Sequence, residues 1–142
     1  MRRLFLTAAG LLALGGIVVA TAPKAQQSPP PAVNQGASNI KRTPLQKFDV
    51  PGTAYETVIG IAEIVPNVKI GRHTHPGPES GYVLEGDMVL LIDGQPPKTI
   101  KAGESYQIPA GAIHDGESGP KGAKVIATYV VEKGKPLATP AK

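Results

Sequence analysis

Apolar and polar positions alternate over short windows through the middle of the chain. "TAYETVIGIAEIV" (53–65) is β-branched and partly alternating, and "GYVLEGDMVLLIDG" (81–94) holds two short apolar runs separated by Gly86-Asp87. Alternation of this kind marks half-buried strands, and a Gly-Asp pair between two runs predicts a hairpin turn. Further short runs follow at "KTI" (98–100), "SYQIP" (105–109), a segment around His114, and "AKVIATYVVE" (123–132). Gly94-Gln95, Ala102-Gly103, Pro109-Ala110-Gly111 and Gly119-Pro120 punctuate them, and no helical period is evident beyond the N-terminal segment. Many short strands with frequent turns predict an all-β fold, an antiparallel sandwich or barrel.

The two ends read differently. Arg2 and Arg3 precede a run from Leu4 to Pro23 without a charge, and small residues lie near its end, at Ala20 and Ala22. This is the layout of a cleaved signal peptide over 1–22, with an uncleaved membrane anchor as the other reading of the same apolar run. Arg2, Arg3, Phe5 and Leu6 also match part of a twin-arginine export signal, so both that route and general secretion lead to a periplasmic or secreted protein. Residues 23–44 are rich in Pro, Gln, Ser and Ala and read as a mobile linker. The barrel is expected over 45–133, and 134–142, "GKPLATPAK", is expected to fray as a flexible tail.

Composition narrows the chemistry. The 142 residues amount to about one domain, and the absence of Cys excludes disulfides, thiolate metal sites and cysteine nucleophiles. With no Trp, two Phe and four Tyr, the core must be built mainly from Val, Ile, Leu and Ala. Without the two arginines of the leader, the formal charge falls from +4 to +2, which points away from nucleic acid and from a stable membrane contact.

Three histidines are present, His73, His75 and His114. In an extended segment His73 and His75 share a face while Thr74 points away, so both imidazoles can converge on one ion. Glu79 follows a Pro-Gly-Pro turn that can return its carboxylate toward the pair, and His114 can join them if a barrel closes. Otherwise the His-x-His is a solvated polar loop. Tyr82 and Tyr106 are candidates to line a pocket or to pack on a half-buried strand, while Lys69, Arg72 and Glu104 read as solvated or rim charges.

These residues resemble the cupins, small jelly-roll barrels, and in particular the small exported, quercetinase-like single-domain members. The first cupin motif runs Gly, five residues, His-x-His, three or four residues, Glu, six residues, Gly; His73, His75, Glu79 and Gly86 fall at those spacings. The second runs Gly, five residues, Pro-x-Gly, two residues, His, three residues, Asn; Gly103, Pro109, Gly111 and His114 match. Asn67 replaces the opening Gly and Ser118 the closing Asn, and Asn suits the positive φ that such a turn requires.

The resemblance implies a metal held by His73, His75, Glu79 and His114. Three imidazoles and a carboxylate suit a divalent Fe, Mn, Co, Ni, Cu or Zn ion. It further implies a metal-dependent dioxygenase acting on a small molecule, with Glu79 as ligand or catalytic base. A non-catalytic module that binds or stores a metal or small ligand is the alternative, and metal-free isomerase or epimerase chemistry is a third. A homodimer through barrel faces or edge strands is expected from the same resemblance.

Overall fold

A computed structural model describes residues 39–142 of the chain. The expected leader at 1–22 and most of the linker at 23–44 lie outside the described residues. Eight strands follow: β1 (Ile40–Asp49), β2 (Tyr55–Ile64), β3 (His73–Thr74), β4 (Glu79–Ile92), β5 (Lys98–Lys101), β6 (Ser105–Ile108), β7 (His114–Glu132) and β8 (Thr139–Pro140). All pairings are antiparallel and join one curled sheet, the antiparallel all-β form expected from the strand pattern and the jelly-roll barrel that the cupin resemblance implied.

Two long strands run through this sheet. β4 pairs with β7 along its whole length, from Glu79↔Tyr129 to Ile92↔His114, with register shifts between Val83 and Glu85 and between Gly86 and Met88. On its other edge β4 takes β6 at Glu79–Tyr82 and β5 at Asp87–Leu90. β7 likewise pairs with β2 over its C-terminal half and with β3 at His114. A two-stranded ribbon bent at its middle, with different partners on each half, is how one sheet folds over onto itself.

Two expectations are corrected here. Gly86-Asp87 is no hairpin turn: Gly86 has φ 71° and sits in a bulge, so the strand bends without reversing. Gly119-Pro120 does not end a strand either. It lies inside β7 opposite the bulged part of β4, where irregular pairing relieves Pro120 of a ladder donor.

The strand that opens the described region also starts earlier than the composition suggested. Ile40 is buried and faces Ile64 of β2, so 40–44 belong to β1 and not to the linker. Pro44 is tolerated because β1 is an edge strand and its register slips between Pro44 and Gln46. At the other end, 134–142 does not fray. Thr139 and Pro140 pair with Thr74 and His73, and Ala141 N–H donates to the Arg72 carbonyl at 3.0 Å.

The core is aliphatic, as the scarcity of aromatics required. Val83, Met88 and Ile100 are fully buried, packed with Ile40, Ile64, Leu90, Ile108 and Val125. Each such side chain contributes about 1.5 to 3 kcal/mol by burial. The bend itself has no slack: a Cβ on Gly86 would press on the Gly122 carbonyl and lie 3.3 Å from Ala123 Cα. Gly86→Ala combines that clash with a left-handed backbone, so it is expected to destabilise the protein by about 2 to 4 kcal/mol. Urea unfolding followed by circular dichroism measures this, and a loss under about 1 kcal/mol would show that the bend relaxes freely.

Candidate metal centre

β3 lies antiparallel to the start of β7, and the register places His73 directly opposite His114. Asp115 secures this junction: its buried Oδ1 accepts from Gly71 N–H at 2.9 Å and Gly116 N–H at 2.7 Å, tying the loop before β3 to β7. His75 follows just past β3, and Glu79 opens β4 after the Pro-Gly-Pro turn. The ring centroids stand 4.2 Å apart for His73 and His114, 4.8 Å for His73 and His75, and 5.1 Å for His75 and His114. A ligating nitrogen from each of the three lies within 4.8 Å of the others.

The hydrogen bonds decide which nitrogen faces inward. Nδ1 of His73 lies 2.7 Å from the Gly71 carbonyl, that of His75 2.6 Å from the Leu137 carbonyl, and that of His114 2.9 Å from the Ala112 carbonyl. A carbonyl only accepts, so each Nδ1 carries a proton and Nε2 is the nitrogen each ring turns inward as a possible ligand. Nε2 of His75 and of His114 are buried and make no hydrogen bond, although a Glu79 oxygen lies close to both. Two such inward-facing nitrogens next to a third are what a metal satisfies, and ring N–H groups held by carbonyls are the usual supporting shell of such a site.

Glu79 lies beside two of the three histidines. It is 5% exposed, and its Oε2 stands 3.0 Å from His75 Nε2 and 3.7 Å from His114 Nε2. Its Oε1 accepts the Tyr106 hydroxyl proton at 2.9 Å. Burial and the Glu79 charge hold the Tyr106 phenol above the ordinary tyrosine range, so it stays a donor, and the same two causes raise Tyr129. The Tyr129 ring lies 4.8 Å from that of His75.

Residues 60–136, more than half the chain, match the family described as Cupin domain. The chain belongs to the cupin family. Dimethylsulfoniopropionate lyase DddW of Ruegeria pomeroyi is 39% identical over 69 residues, which cover 49% of this cupin and 45% of the relative. The chain thus spans less than half the length of that curated relative. Among solved structures, DMSP lyase DddQ from Ruegeria pomeroyi aligns with TM-score 0.61 at 15% identity over 72% of this chain and 52% of the other. The polyketide cyclase RemF from Streptomyces resistomycificus aligns with TM-score 0.58 at 26% identity, over 75% and 74%. An oxalate oxidase aligns with TM-score 0.54 at 22% identity, over 70% and 57%.

Both departures of this cupin from the motifs have a structural answer. Asn67 has φ 56°, the one non-glycine positive φ among the described residues, and so supplies the turn that glycine would. Ser118 is 3% exposed; its hydroxyl donates to the Val65 carbonyl at 2.7 Å and accepts Val68 N–H at 3.0 Å. It therefore pins the 65–68 turn to β7. Of the rim charges, Lys69 meets Glu117 at 3.8 Å on the surface, and Glu104 caps its own turn by accepting Lys101 N–H. Arg72 does more: both its terminal nitrogens donate to Asp93, at 2.9 and 2.7 Å, and Nε donates to the Lys142 carbonyl. Tyr82 is 45% exposed and turned away from the site that Tyr106 serves.

Sequence reasoning missed Tyr129 and the C-terminal segment of this cupin. No local pattern announces that the Leu137 carbonyl will orient His75, because the contact spans 62 residues. Removing residues 136–142 should leave the core intact and lower metal affinity about 10- to 100-fold, the usual cost of losing a partner of a ligating histidine. Chelator competition reads the affinity and circular dichroism the fold; undiminished affinity would show that the strap does not orient His75.

Acid should act on the same cluster. Burial lowers the His73 and His114 pKa values below the ordinary 6.5, opposed by their carbonyl bonds and reinforced by the neighbouring imidazoles. Between those lowered values and 6.5 the unfolded chain binds more protons than the folded one, so stability is complete above this window and falls as pH drops through it. The urea midpoint of metal-free protein should therefore fall between pH 7 and pH 5, and fall less in a His73→Gln/His114→Gln variant. Equal losses in both proteins would place the acid sensitivity elsewhere.

Proposed function

We propose that this cupin is a metal-dependent enzyme acting on a small molecule. His73, His75 and His114 are its imidazole ligands, and Glu79 is either the fourth ligand or the group that takes the substrate's proton. The observation that carries the reading is the shared tautomer: three Nδ1–H groups spent on backbone carbonyls, leaving the Nε2 atoms pointed at one another. A divalent metal bound there supplies Lewis-acid polarisation of a substrate oxygen. Tyr106 holds Glu79 Oε1, which turns Oε2 toward the histidines and fixes the carboxylate where a proton would be delivered.

Lyase chemistry is the reaction we place first, supported by the 39% identity to a dimethylsulfoniopropionate lyase. A non-redox elimination asks of the protein a proton acceptor beside a polarised substrate, which Glu79 provides. The dioxygenase reading uses the same ligands and differs in consuming O₂. We further propose that residues 1–22 direct the protein out of the cytoplasm, so that the site works in the periplasm or outside the cell.

Metal-loaded protein incubated with dimethylsulfoniopropionate should deplete it without O₂ uptake, as followed by NMR and an oxygen electrode. His75→Ala should reduce turnover at least 1,000-fold, and Tyr106→Phe about 10- to 100-fold by loosening Glu79. O₂ uptake coupled to substrate loss would favour the dioxygenase, and turnover that survives His75→Ala would refute the metal-dependent reading altogether.

A further inference from the structure

Three side-chain nitrogens are buried without a hydrogen-bond partner among the described residues. Two are the Nε2 atoms of His75 and His114 in the candidate metal centre, and the third is Arg42 Nη1. Arg42 lies on β1, two residues from Ile40, whose side chain is buried in the core. Alternate residues of a strand share a face, so Arg42 also points into the barrel. The register agrees: Arg42 pairs with Ala62, and Ala62 with the buried Val125.

The next inward row toward the histidines is made of small residues, Gly60 beside Ala127 and Ala127 beside Gly81. Beyond it lies the row that holds Tyr129 and Glu79, paired directly with each other. The Arg42 charge opposes the burial that raises the Tyr129 phenol, and the Tyr129 ring lies 4.8 Å from that of His75. The neighbouring cation on β1 behaves differently: Lys47 is matched to the buried Glu56 at 2.8 Å. Arg42 has no such counter-charge among the described residues.

Arg42 as a whole is half-buried, but a guanidinium N–H held out of water and left unspent is costly unless an anion arrives to meet it. We propose that Arg42 is the anion anchor of this cupin and binds the carboxylate of a small organic acid whose other end faces the histidine cluster. The planar fork of N–H donors matches a carboxylate in two parallel bonds, which a lysine cannot reproduce. Substrate selection then follows from two fixed points, a positive fork on β1 and a metal centre on β3, β4 and β7. The inference rests on the metal-dependent reading of the site and adds the chemical class of the ligand.

Zn²⁺-loaded protein, which is redox-silent, is titrated with propionate and with propionamide, and binding is read by saturation-transfer NMR. Zn²⁺ affinity is measured separately by chelator competition in wild type, Arg42→Gln and Arg42→Lys. The expected result is Zn²⁺ affinity unchanged within about twofold in the variants. Propionate affinity should fall tenfold or more in Arg42→Gln and less in Arg42→Lys, and propionamide should bind wild type at least tenfold more weakly than propionate. Equal propionate affinity in wild type and Arg42→Gln, with Zn²⁺ bound by both, overturns the anchor and leaves the metal reading standing. Propionamide binding as well as propionate also overturns it. Failure of wild type to take up Zn²⁺ defeats the metal reading and the anchor together.

Discussion

The pairing of β4 with β7 is the constraint from which the rest of the molecule follows. The two strands stay hydrogen-bonded from Glu79↔Tyr129 to Ile92↔His114 while the ribbon bends at Gly86 and Gly122, both with positive φ. A Cβ at Gly122 would come within 2.6 Å of the Ile64 carbonyl, and one at Gly86 would strike the Gly122 carbonyl. Backbone therefore packs on backbone at the fold, and no side chain can be placed there. Because the ribbon bends, its two ends reach different neighbours. Glu79 is delivered beside Tyr129 at one end and His114 beside His73 at the other.

The site inherits its precision from this framework and adds little flexibility of its own. Each imidazole is held by a carbonyl from a different part of the chain: Gly71 before β3, Ala112 before β7, and Leu137 in the C-terminal strap. Backbone carbonyls cannot donate, so they set the tautomer without competing for the inward nitrogen. Tyr106 does the same for Glu79 from the opposite sense, donating to one oxygen and leaving the other turned to the histidines. A cluster oriented by main-chain groups is insensitive to side-chain rotamer changes nearby, which suits a small barrel with few residues to spare.

Cooperation between the ends of the chain is the less expected feature. β1 carries Arg42 on its inner face, and the last residues, through β8, Ala141 and Lys142, bind the strand that bears His73. Both segments looked like tails because proline, small residues and low hydrophobicity dominate them. Such composition removes intrinsic structure but does not prevent a segment from being recruited by an edge strand that needs partners.

How much of this was legible depended on the range of the interaction. The alternation in 53–65, 98–100, 105–109 and 123–132 and the cysteine-free composition carried the all-β class, and the His-x-His and His spacings named the three histidines that the fold brings together. Those signals are local, or repeat at a period set by backbone geometry. Gly86-Asp87 misled because a glycine-containing pair reads the same way in a hairpin and in a bulge, and only the partner strand distinguishes them. Arg42, Tyr129 and the Leu137 carbonyl had no local signature at all. Their roles come from which strands lie side by side, and that was settled by burial of Val83, Met88 and Ile100 and by the bend of one ribbon. Residue types and spacing determined which side chains were available to the site, whereas tertiary pairing decided which histidine nitrogens point inward and which residues stand beside them.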